Sequence, residues 1–180
     1  MGGWNVTNDL ARGLSTPLAH AERLKTLHGG VLGAPGDEKE WLPVPLVGED
    51  EDHIARIPRT MVVGIIQPRL EETFELVKDR LEAAGISQDA GRRVVLTGGA
   101  SQLVGVRELA ARVLDRQVRL GRPHVVRGLP ETASGPAFAA PLGLLGWAAG
   151  EGRPLLDLLP GLERRPGAFR RFVNWLRDRA

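Results

Sequence analysis

Val94-Val95-Leu96-Thr97-Gly98-Gly99-Ala100-Ser101 passes from an uncharged, largely β-branched run into two glycines and two small residues. The first half reads as a buried strand. The second half is a junction at which backbone can approach a ligand closely, because glycine has no Cβ and tolerates unusual dihedrals. It reads equally well as a tight turn with nothing bound. Downstream, Val106, Leu109, Ala110 and Val113 recur at helical spacing, and Gln117 to Leu120 reads as a second strand ending in the turn Gly121-Arg122-Pro123. Strand, turn, helix and strand in that order place the chain in the α/β class.

Upstream, Thr7-Asn8-Asp9 reads as a cap for a short helix reaching Leu14. Thr16-Pro17 reads as the N-cap and first position of a second helix that runs to about His28, with Gly29 beyond it. Leu18, Ala21, Leu24 and His28 are its expected apolar face. Glu22 and Lys25, three apart, lie side by side on the helix surface, the spacing of an ordinary surface ion pair. Leu42 to Val47 is a strand weakened by Pro43 and Pro45, which suits an edge. Glu49 to Asp52 is an acidic turn. A long helix is expected from about Thr60 to Ala84, with Leu70, Phe74, Val77 and Leu81 facing the core. Pro68 is expected to kink or restart it, and Gly85 to close it. Ala137 to Ala149 reads as a packed helix.

The whole chain has 180 residues and a formal net charge of +2, too small to imply a nucleic-acid partner. It has no cysteine, which excludes disulfides and thiolate metal sites, and its 4 histidines are scattered, which argues against a metal centre. Hydrophobic residues at 42% and charged residues at 26% describe a globular chain. The start at Met1 has no basic-then-apolar signal peptide, which favours the cytoplasm. The uncharged stretch from Pro136 to Gly150 falls short of the roughly 20 residues needed to span a bilayer.

The end of the chain has its own chemistry. Residues 151–166 are rich in proline and glycine and read as a linker. In residues 167–180, Phe169, Phe172, Val173 and Leu176 fall at i, i+3, i+4 and i+7, and Trp175 sits at the margin of that face. Arg164, Arg165, Arg170, Arg171, Arg177 and Arg179 surround a lone acid, Asp178. This is the pattern of a basic amphipathic helix lying in an anionic membrane surface.

Seven stretches, in order along nearly the whole chain, resemble the FtsA family of bacterial cell-division proteins, members of the actin-like ATPase superfamily. They are Gly2-Gly3 with Val6-Thr7-Asn8-Asp9-Leu10-Ala11; Gly13-Leu14-Ser15-Thr16-Pro17; Ala21-Glu22-Arg23-Leu24-Lys25; Ile65-Ile66-Gln67-Pro68-Arg69-Leu70-Glu71-Glu72; Val95 to Ser101; Val118-Arg119-Leu120-Gly121-Arg122-Pro123; and Trp175-Leu176-Arg177. The resemblance covers the C-terminal part of that family, without its phosphate-binding elements. It implies a partial actin-like, ribonuclease H-like fold. Residues 1–60 would be subdomain 2B, 61–150 the closing part of subdomain 2A, 151–166 a linker and 167–180 the membrane-targeting helix. A sheet lacking its first strands would expose an edge. A truncated gene product, a misplaced start at Met1 or a fragment would account for the missing half.

The same resemblance implies roles. Gly98, Gly99, Ala100 and Ser101 would lie against the adenosine of ATP, and Glu22 and Lys25 would reach its ribose and adenine. Mg²⁺ and the phosphates would be held by the part of the family that this chain does not match. Arg56, Arg59 and Arg69 would meet the C-terminal tail of FtsZ. Phe169, Arg170, Arg171, Phe172, Val173, Trp175 and Leu176 would meet the cytoplasmic face of the inner membrane at the septum. Self-association into actin-like filaments and recruitment of later division proteins complete the expectation. No residue stands out as a general base or nucleophile, so catalysis by this chain alone is not expected. The rival readings are a sugar-kinase-like or chaperone-like member of the superfamily and a non-functional remnant of a split gene.

Overall fold

The computed structural model describes residues 2–49, 54–86, 93–123 and 130–148. The expected linker and terminal helix, 151–180, lie outside the described residues, as does most of the acidic turn. The chain falls into two compact units, Met1–Ala139 and Ala140–Ala180.

Helix α1 spans Gly3–Gly13, a turn earlier than Thr7-Asn8-Asp9 implies. The Asn5 side chain reaches back to the Gly2 N–H at 3.0 Å, so the polar run lies inside the helix rather than before it. Burial decides this: Val6, Leu10 and Leu14 are all core residues, and only a helix that includes Val6 puts them on one face. Helix α2 spans Leu18–His28. Thr16 does not cap it. Its hydroxyl donates instead to the Pro45 carbonyl at 2.7 Å, and Pro17 is the residue at the cap. Leu18, expected in the core, is 44% exposed, whereas Ala21 and Leu24 are buried. His28 is half-buried and bonds Glu40 at 3.1 Å.

Strand β1 (Trp41–Pro45) pairs antiparallel with β2 (Ile54–Pro58), Trp41 opposite Pro58 and Pro45 opposite Ile54. The sequence pattern did not suggest β2. Its arginine and proline mask the alternation, and it forms because β1 supplies a partner. Leu42 and Val44 are buried on one face of this ribbon, while Trp41 and Ile54 are exposed.

Helix α3 runs unbroken over Arg59–Ala83, with Pro68 inside it. Pro68 lies on the exposed side, and Ile66 and Leu70, its neighbours on the buried side, hold the helix through it. Val62, Val63, Ile66, Leu70 and Phe74 are buried. Val77 is not: it is exposed, and Leu81 is only half-buried, because the last turns extend past the core. Gly85, at φ +69°, follows the end as expected.

Strand β3 (Arg93–Leu96) pairs in parallel with β4 (Gln117–Leu120), linked through a 3₁₀ turn at Gly99–Gln102 and helix α4 (Val106–Leu114). The expected buried strand is only half covered. Val95 is 47% exposed, since among the described residues β3 has β4 as its one partner. The apolar run after Pro136 forms helix α5 (Ala139–Ala148), nearly all of it in the second unit, but it is not the packed helix expected: Leu142 is buried, whereas Leu144, Leu145 and Trp147 are exposed.

One hydrophobic core draws Val6, Leu10, Leu24, Val44, Val62, Ile66, Leu103 and Leu109 together from both sides of residue 60. A lone parallel bridge, Gly30 to Val104, joins the end of α2 to the loop after the 3₁₀ turn. These links bring the glycine turn of the second half against the helices of the first. The result is a mixed α/β unit with small sheets, consistent with a partial actin-like domain.

Candidate functional site

The Thr97-Gly98-Gly99 junction is a sharp turn that needs glycine. Gly98 sits at φ +91°, where a side chain is strained, and a Cβ built there meets nothing within 4 Å. That face of the backbone is open. Ala100 and Ser101 enter the 3₁₀ turn. The Ser101 hydroxyl is committed inward, donating to the Gly98 carbonyl at 2.7 Å, and the residue is buried. The turn is braced from behind as well: the Gly121 N–H donates to Leu96 at 2.7 Å, and Thr97 donates to the Gly121 carbonyl at 3.2 Å.

Glu22 and Lys25 sit on the side of α2 that faces the start of α1. Lys25 is buried, and its ammonium donates to Glu22 Oε2 at 2.6 Å, to Thr7 Oγ1 at 2.9 Å and to the Gly3 carbonyl at 3.2 Å. Thr7, fully buried, also donates to Glu22 Oε2. Burial of Glu22 opposes ionisation. The hydrogen bonds from Lys25 and Thr7, with the Lys25 charge, outweigh it and hold this carboxyl below the usual range. The pair is therefore a buried-edge ion pair with an internal hydroxyl partner, not the surface decoration that its spacing alone suggests.

Gly3 joins the two pieces. A Cβ built on it would lie 3.4 Å from the Ala100 Cβ and 3.4 Å from the Lys25 Nζ. The first turn of α1 thus separates the glycine turn from the Glu22–Lys25 pair by the width of one backbone. The structure brings Gly98 to Ser101, Glu22 and Lys25 into one neighbourhood. Sequence reasoning missed Thr7 and Gly3 as members of it. The available signal was a polar residue, Thr7, at helical spacing to Leu10 and Leu14 on an otherwise apolar face.

This arrangement fits the nucleoside side of a nucleotide. An open glycine backbone accepts a flat ring, and a fixed carboxylate accepts hydroxyl donors. It does not fit phosphate, which would meet a carboxylate while the neighbouring ammonium has already used its three donors.

The three arginines are not brought together as one set. Arg59 points back into the fold, with Nε donating to the His28 carbonyl at 3.0 Å and Nη1 to the buried Asp37 at 2.9 Å. It anchors the loop between α2 and β1. Arg69 is paired with both oxygens of Asp9 and with Glu72. The hydrogen bond to Asp9, then the Asp9 charge, raise its pKa above the ordinary guanidinium value. Arg56 is exposed on β2, opposite Pro43. Among the described residues, no helix is long and apolar enough to cross a membrane.

The family model described as "Cell division protein FtsA" matches residues 1–143. The chain is similar to the cell division protein FtsA of Rhizobium meliloti, 46% identical over 188 aligned positions covering 99% of this chain and 41% of that protein. It is 51% identical to the FtsA of Agrobacterium fabrum over 81% of the chain and 33% of the relative. It is 34% identical to that of Escherichia coli over 78% and 34%. The chain therefore spans about two fifths or less of the length of these relatives. A match over most of the chain, with identities of this size, settles the family: the chain belongs to the FtsA cell-division proteins.

Proposed function

We propose that this chain works in cell division as the part of an FtsA-type protein that holds the nucleoside of ATP, docks FtsZ and meets the membrane. The supporting observation is the meeting, at Gly3, of the open Gly98 turn and the Glu22–Lys25 pair within a chain that matches this family over residues 1–143. Mg²⁺ and the phosphates fall to other elements of the longer family members, so ATP binding by this chain alone is weak. FtsZ filaments are tied to the cytoplasmic face of the inner membrane at the septum. Arg56, with Arg59 and Arg69, takes the acidic FtsZ tail, and residues 167–180 take the anionic lipid surface. Self-association into actin-like filaments and recruitment of later division proteins follow once the chain is on the membrane.

The test is reconstitution. The purified chain, mixed with FtsZ and anionic liposomes, should carry FtsZ down with the vesicles. FtsZ without its C-terminal tail should stay in the supernatant. Equal pelleting of FtsZ with and without the chain overturns the anchoring function.

A further inference from the structure

Among the described residues, β4 (Gln117–Leu120) has β3 as its one strand partner, so its other edge carries main-chain N–H and C=O groups outside any ladder. A groove of about 450 Å³ opens between the end of β4 and the start of α4, and Gln102, Val104, Arg107, Arg119 and Leu120 are among its walls. Two large apolar side chains stand in water there, Val104 at 65% and Leu120 at 45% exposure. Arg107 donates twice to Glu108, at 3.0 and 2.7 Å, so those two charges offset each other. Arg119 is exposed, and among the described residues its guanidinium has no ion pair or hydrogen bond. The surplus charge of the groove is therefore that of Arg119. The surrounding sequence leans the same way: from Arg93 to Pro123 six arginines stand against two acids, Glu108 and Asp115.

An open strand edge is a template for another strand, and a charge on it decides which strands are accepted. A second copy of this chain brings the same arginine to the same edge, and like charges across a strand pair repel. A segment that carries carboxylates is attracted instead. Side chains alternate along a strand, so Leu120 shares a face with Val118, which packs on the core, and Arg119 lies on the other face. We propose that the free edge of β4 docks an extended acidic segment of a partner protein, which adds as a strand with a carboxylate beside Arg119 and an apolar side chain in the groove at Val104 and Leu120. Main-chain bonds supply affinity whatever the sequence, and the alternation of acid and apolar residue supplies the choice. None of the residues assigned above to nucleoside, FtsZ or lipid lies on β4 or α4, so this dock goes beyond that function.

The probe is a capped, fluorescent octapeptide of alternating glutamate and valine, titrated into the 180-residue chain and followed by anisotropy and amide shifts. Shifts should centre on Gln117–Leu120, and binding should weaken as salt rises. Arg119→Glu turns an attraction into a repulsion and should weaken binding about tenfold. The same variant should take up the lysine–valine counterpart, which the unaltered chain refuses. N-methylation of alternate probe residues removes donors from the ladder and should abolish binding. Arg56→Ala should leave probe binding unchanged, and an FtsZ tail peptide should not displace the probe. No binding of the glutamate probe overturns the proposal. So does equal binding of the glutamate and lysine peptides, or of the probe to the unaltered chain and Arg119→Glu. Full-strength binding of the N-methylated probe overturns strand addition, and displacement by the FtsZ tail overturns a separate dock. Arg119→Ala, with a smaller expected loss, carries the test where Arg119→Glu does not fold.

Discussion

The guanidinium of Arg69 on α3 is paired with both carboxylate oxygens of Asp9 on α1, sixty residues earlier in the chain. A planar fork on a carboxylate is the strongest geometry that arginine offers. This pair ties α3 to α1. An FtsZ tail that bears carboxylates must compete with Asp9 for it.

That competition separates the three arginines. Arg56→Ala should weaken FtsZ-tail binding with no change in melting temperature, because the residue is exposed on the ribbon. Arg69→Ala should lower the melting temperature as well, through loss of the α1–α3 tie. The Arg59→Ala, Arg69→Ala double variant should lose about tenfold in tail binding, roughly 1.4 kcal/mol. Fluorescence anisotropy with a labelled tail peptide, beside thermal melts, checks all three. Full-strength binding by the folded double variant rejects the docking role.

Stability should respond to pH through Glu22. Its folded carboxyl titrates below the ordinary value of 4.5, so it binds fewer protons folded than unfolded. Its contribution is therefore complete above that ordinary value and is lost as pH falls through the lower, folded one. Urea melts of the chain and of Glu22→Gln should differ at neutral pH and converge in acid. A constant gap across the whole range would show that the carboxylate adds nothing through its charge.

Gly98→Val should act on both fold and ligand. At φ +91° a branched side chain costs on the order of 1–3 kcal/mol. In a longer family member that binds ATP, the same change fills the open face and should abolish binding. The chain by itself should bind ATP weakly or not at all, since Lys25, the cation beside the turn, has its three donors in use. Micromolar ATP affinity for the 180-residue chain would contradict that expectation.

Gly29→Ala should be severely destabilising. A Cβ there would stand 2.1 Å from the Lys25 carbonyl and 2.9 Å from Leu103, both fixed by α2 and the core. Loss of the cooperative thermal transition is the expected result. Tolerance of alanine would mean that α2 can end differently.

Residues 167–180 should bind anionic vesicles, less so at high salt, because arginines near anionic lipid contribute about 1 kcal/mol each and are screened within a Debye length. Trp175→Glu or Phe172→Glu should release the chain in co-sedimentation. Pelleting that survives both changes would exclude the apolar face as the anchor.

Much of this protein is legible in its order of residues. The period of Leu70 and Phe74, the β-branched run before Gly98 and the spacing of Val106, Leu109 and Ala110 determine the long helix, the strand and α4, because hydrophobic period and local geometry are properties of neighbouring residues. Gly98 and Gly85 announce their positive φ for the same reason. Tertiary structure alone decided where α1 begins, since Val6 joins the helix to reach a core built from α3 and α4. It also decided that Ile54–Pro58 is a strand, since a strand exists through its partner. It turned Thr7 from a presumed cap into the buried hydroxyl between Lys25 and Glu22, and it turned Arg59 and Arg69 inward. Those outcomes depend on carboxylates and carbonyls 15 to 60 residues away. No local pattern encodes such distances; only the packing of the helices brings the partners within hydrogen-bond reach.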